Sequence, residues 1–160
     1  MNELIVLVDG SPFVRSVAPS AWPNEERLVS LVLQSPTGDT VRHVIEKVHN
    51  VCAFLSWLAE VASHLRHDAP PTYLPKRESL AAAIESFYDN ALDSELNLVE
   101  EDLFEYRSHH DLRFGFRGTD VPSVLIGSWQ GGPTVSSTAN GGYSYSLDLQ
   151  KLLTVVGCGR

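Results

Sequence analysis

The chain has 160 residues, 43% hydrophobic and 20% charged, a balance that suits a folded core and excludes an intrinsically disordered chain. Twelve Lys and Arg face 20 Asp and Glu, giving a net charge of −8 and an isoelectric point near 5.1. This argues against duplex nucleic acid or anionic lipid as a partner, since both need a basic footprint, and it suits cationic proteins.

A chain of this length reads as a single domain over residues 1–160. Leu4-Ile5-Val6-Leu7-Val8 is a short apolar run ending at the turn signal Asp9-Gly10-Ser11-Pro12, and it predicts a buried strand. Residues 13–20 read as irregular because of Pro19 and Pro23, with Trp22 covering the core. Residues 26–34 predict a second strand, stopped at Ser35-Pro36-Thr37-Gly38. Val41, Val44, Val48, Val51, Leu55, Leu58, Ala62 and Leu65 recur at spacings of three and four. They predict one long amphipathic helix over residues 41–66, started by Asp39 or Thr40 and stopped by Pro70-Pro71. Leu80, Ile84, Phe87 and Ala91 predict a second helix over residues 77–90. Residues 96–106 fit either a strand or a short helix.

From Asp111 the pattern turns strand-like. Leu112, Phe114 and Phe116 alternate with Arg113, Gly115 and Arg117, the period of a half-buried strand. Residues 123–129, 134–138 and 143–150 predict further strands. Asn140-Gly141 supplies a type I′ turn. Residues 152–156 continue as a strand or form a closing helix. The predicted fold class is α+β: the long helix and the second helix packed on a mainly antiparallel β-sheet.

Cys52 and Cys158 form no disulfide framework and no Cys-x-x-Cys pair, and both are expected as free thiols in a reducing compartment. The N-terminus lacks the pattern of a signal peptide, and no apolar stretch approaches the ~20 residues of a membrane helix. A cytoplasmic monomer is the expectation.

Four constellations invite a chemical reading. Glu60, His64 and His67 lie at i, i+4 and i+7, which places three metal donors on one helix face; the plainer reading is a solvated face with a cationic helix end. His109-His110-Asp111 offers a His–Asp pair for general-base work. No Gly-x-Ser-x-Gly accompanies it, and on a strand the two histidines would face opposite ways. Glu100, Glu101 and Asp102 supply paired carboxylates. Phe114, Phe116, Tyr143 and Tyr145 with Arg113 and Arg117 suggest a stacking surface for single strands, but at strand spacing they read as core. No glycine-rich phosphate loop is present, and no cofactor is expected.

The acids are concentrated. Residues 85–111 hold nine acids and one base, Arg107, so the whole net charge of −8 lies there and the other 133 residues sum to zero. Within this stretch Glu95, Glu100, Glu101, Asp102 and Glu105 are interleaved with Phe104 and Tyr106, the aromatic anchors that carry most interface energy. The plainer reading is a solubilising face. The other is a docking surface for a basic protein.

A short acidic chain without a catalytic motif, bearing this cluster beside Leu112-Arg113-Phe114-Gly115-Phe116-Arg117-Gly118 and Asn140-Gly141-Gly142-Tyr143-Ser144-Tyr145-Ser146-Leu147, resembles the bacterial immunity proteins of contact-dependent growth inhibition and related polymorphic toxin systems. The resemblance implies non-catalytic, stoichiometric binding to a cognate toxin domain, often a basic nuclease. A small metal- or His-dependent hydrolase and a structural adaptor domain are the alternatives.

Overall fold

The computed structural model describes residues 1–13 and 22–157. Its strands are β1 (Asn2–Val8), β2 (Ser11–Pro12), β3 (Glu26–Gln34), β4 (Thr40–Asn50), β5 (Leu125–Trp129), β6 (Gly132–Ser137) and β7 (Tyr143–Asp148). Its α-helices are α1 (Val51–His67), α2 (Leu80–Asn90), α3 (Asp93–His110) and α4 (Gln150–Thr154), with a 3-10 turn at Leu112–Phe116. The fold is α+β. The sheet order is β4-β3-β1-β7-β6-β5, with β2 on the side of β1. All pairings are antiparallel except β1 with β7, which meet through Asn2–Leu147 and Glu3–Asp148. The predicted irregular stretch 14–20 and Cys158 lie outside the described residues; Trp22 is buried as expected, and Cys52 is a free thiol.

The main core lies between the sheet and α1, with Leu4, Leu31, Leu33, Phe54, Leu55, Leu58, Ile126 and Leu147 fully buried. A second cluster joins α2 and α3 to the β5 end of the sheet through Leu80, Ile84, Phe87, Leu103, Tyr106 and Leu125. Ser79 caps α2 by accepting a hydrogen bond from the Ala82 amide at 3.1 Å, so that helix starts three residues later than predicted.

The long helix predicted over residues 41–66 is two elements. Residues 40–50 form β4, paired with β3 through bulges opposite Leu31–Val32 and Leu33–Gln34. Asn50 then opens α1, its Oδ1 accepting from the Ala53 amide at 2.9 Å. Composition changes at that point: β-branched Val41, Val44, Ile45 and Val48 precede it, and Leu- and Ala-rich sequence follows. Strand packing favours the first type and helix the second.

The strand predicted over residues 112–117 is the 3-10 turn. Asp111 Oδ1 accepts from the Arg113 amide and caps it. The buried members are Leu112, Gly115 and Phe116, a helical rather than alternating set. Gly115 lies under Trp57 so closely that an added Cβ would be 2.6 Å from the indole. The Asn140-Gly141 turn forms as predicted, with both φ angles positive (53° and 85°) and Gly142 N bonded to Ala139 O.

Candidate functional site: an acidic helix and a histidine cleft

The uncertain stretch 96–106 lies inside α3, an 18-residue helix. Only Leu103, Tyr106 and His110 of this helix are buried, so its apolar edge is narrow and its periodicity faint. The helix charges fit the dipole: Asp93 and Glu95 in the first turn, Arg107, His109 and His110 in the last.

Spacings of three and four put Glu95, Leu98, Glu101, Asp102 and Glu105 on one stripe, with Phe104 next to Glu101 and Glu100 on the far flank. Every one of these side chains is exposed, Leu98 by 85% and Phe104 by 56%. Phe104 leans edge-on against Phe114, with ring centroids 5.6 Å apart. Among the described residues, no Lys, Arg or His forms an ion pair with Glu95, Glu100, Glu101, Asp102 or Glu105. Asp102 accepts the Tyr73 hydroxyl at 2.7 Å; burial first, and then this carboxylate, pushes the Tyr73 phenol well above its ordinary pKa.

Two members of the predicted acidic surface are not on it. Tyr106 is buried in the second core cluster and cannot serve as an anchor. Asp111 is 0% exposed. Its carboxylate accepts from the Arg113 guanidinium and amide and from Ser123 Oγ, and it pairs with Arg107 at 3.5 Å. It therefore orients neither histidine, and the His–Asp pairing read from His109-His110-Asp111 is not formed. Ser108 Oγ donates to Glu105 O.

Next to this stripe, and sharing Asp102 and Glu105 with it, lies a cleft of about 470 Å³, lined by His64, His67, Asp68, Asp102, Glu105, Tyr106 and His109. His64 and Asp68 come from the end of α1, one turn apart. His109 comes from the end of α3. Its ring stacks on that of His64, with centroids 3.8 Å apart and planes 15° apart. His64 Nδ1 is 2.9 Å from Asp68 Oδ2. One ligand atom from each of His64, Asp68 and His109 lies within 4.8 Å of the other two.

His110 is buried near Asp68, outside the residues that line the cleft. On a helix, successive side chains are about 100° apart rather than opposed, so both histidines reach this region. His110 is 0% exposed, and its ring stacks on Tyr106 at 4.1 Å. Its Nδ1 is 2.7 Å from Ile126 O on β5. A carbonyl only accepts, so Nδ1 carries the proton. Burial holds the ring pKa below its ordinary value, outweighing the backbone bond and Asp68. With Nδ1 bonded to Ile126, Nε2 is the ring nitrogen left for another partner. That Nε2 makes no hydrogen bond and lies 3.6 Å from Asp68 Oδ2. Close approach of β5 depends on Gly127, where an added Cβ would be 2.9 Å from Tyr106 Oη and 3.2 Å from His110 Nδ1.

The sequence set Glu60, His64 and His67 does not converge. Glu60 lines a different cleft with His49, Trp57 and Phe114, and His67 Nδ1 turns back to Ser63 O at 3.0 Å. Sequence reasoning missed Asp68 because its partner His109 is remote in the chain. Compared with protein-family models, with curated proteins and with solved structures, the chain has no match.

Proposed function

We propose that this protein is a non-catalytic binding protein that neutralises a cognate cationic toxin domain by docking through the outer face of α3. The observation that carries the reading is the combination on one helix of five exposed carboxylates without ion-pair partners and two exposed apolar side chains, Leu98 and Phe104. Unpaired acids steer a basic partner and pair with its lysines and arginines. Leu98 and Phe104 supply apolar contact at the centre of such an interface. The general character shared with bacterial immunity proteins points the same way.

The experiment is a search of the neighbouring reading frames for a secreted protein with a basic C-terminal domain, followed by affinity measurement of that domain against this chain by calorimetry. The variant carries Glu95→Lys, Glu101→Lys and Glu105→Lys, and leaves Asp102 in place because it holds Tyr73. The fold should persist by circular dichroism, and affinity should drop by about 100-fold or more. An unchanged affinity would remove α3 from the interface.

A further inference from the structure

The cleft beside the acidic face has a donor set that nothing in the docking reading uses. We propose that it binds one divalent transition-metal ion of the zinc class, through His64, Asp68 and His109, with His110 Nε2 the buried nitrogen next to Asp68.

The three half-buried donors already converge within 4.8 Å, and imidazole with carboxylate is a set that zinc, nickel and copper accept. The independent observation is His110. Its Nδ1–H is tied to a backbone carbonyl, an arrangement that fixes the tautomer and aims the other nitrogen of a metal-ligating histidine. The aimed nitrogen faces a carboxylate oxygen at 3.6 Å and has no hydrogen-bond partner, so a cation held by Asp68 would lie within its reach. Donors on one tetrahedral ion with bonds of about 2.1 Å stand about 3.4 Å apart, and the three cluster atoms lie within 4.8 Å of one another, so small side-chain turns bring them to that spacing. Asp68 Oδ2 is the shared centre, since it is also 2.9 Å from His64 Nδ1. A nitrogen donates in the plane of its ring, so the ion draws His64 and His109 out of their parallel stack by a turn about the Cβ–Cγ bonds. Asp102 and Glu105 at the rim add negative potential at the mouth.

The test is titration of the full chain, stripped of metal with chelator, with zinc chloride by calorimetry at neutral pH. One ion per chain should bind, with a dissociation constant on the order of 1 µM or tighter. His64→Ala and His109→Ala should each weaken binding by about 100-fold, while His43→Ala, exposed on β4 and away from the cleft, leaves it unchanged. Because a variant can perturb folding, nitrogen NMR of the wild-type imidazoles gives a second readout. Zinc should shift the ring nitrogens of His64, His109 and His110 and leave those of exposed His43 in place. Absence of saturable binding, affinities for His64→Ala and His109→Ala equal to wild type, or a His110 signal unmoved by zinc would each overturn the proposal.

Discussion

Gly127 sets how closely β5 approaches α3, and so where His110 is held. Any side chain there meets Tyr106, Leu80 and His110 at 2.9 to 3.2 Å, and all three belong to a packed interior. Gly127→Ala should therefore destabilise the fold by about 1–3 kcal/mol through overpacking, read as a lower urea midpoint at unchanged slope. His49 makes a different residue-scale statement. Its ring packs on Phe116, and Nδ1 bonds to Thr119 Oγ1 at 2.8 Å. Burial lowers its pKa, outweighing the opposing pulls of the Gly115 backbone bond and, after it, Glu26. The unfolded chain, with an ordinary value near 6.5, thus takes up this proton before the folded protein does. The stability from His49 is complete above that value and is lost as pH falls through it. Urea midpoints measured at about pH 7 and about pH 5 should differ less in His49→Gln than in the wild type; an identical difference would show that His49 does not titrate this way.

At the scale of elements, the boundary between β4 and α1 decides how much of the fold can be read from sequence. The three-and-four spacing of valines from 41 to 51 mimics a helix, yet Val41 and Val48 are exposed on a strand. The spacing was coincidental, and the local signals were a β-branched run and a capping Asn50. Asn50→Ala removes the cap and the bond from Asn50 Nδ2 to Asn24. It should cost about 1 kcal/mol in chemical denaturation. The strands β1 and β3, the α1 stripe after residue 51 and the Asn140-Gly141 turn were legible because their patterns are long or chemically specific. The 3-10 turn was not, because Leu112, Phe114 and Phe116 alternate for reasons unrelated to a sheet: Leu112 and Phe116 are buried, and Phe114 meets Phe104 at the surface edge. The helix α3 was ambiguous by hydrophobic period, but its acids at the start and bases at the end were a usable helix signal.

At the scale of the molecule, α3 separates two environments. Its outer face carries unpaired acids and Leu98; its inner edge carries Tyr106 and His110 against β5, with His109 at the mouth of the cleft. The acids were legible because charge is additive along a sequence. The cleft was not, because Asp68 and His109 meet only through the packing of α1 against α3. Since residues outside 85–111 sum to zero charge, the field of this protein is directional, and salt should act on binding mainly through one helix. The most direct measurement is the association rate constant with the proposed basic toxin domain by stopped flow, at about 0.05 M and about 0.5 M salt, where the screening length differs severalfold. The account predicts a wild-type rate that falls at least about tenfold with salt, and a slow, nearly salt-independent rate for the variant with Glu95→Lys, Glu101→Lys and Glu105→Lys. Equal rates for the two proteins at low salt would contradict it.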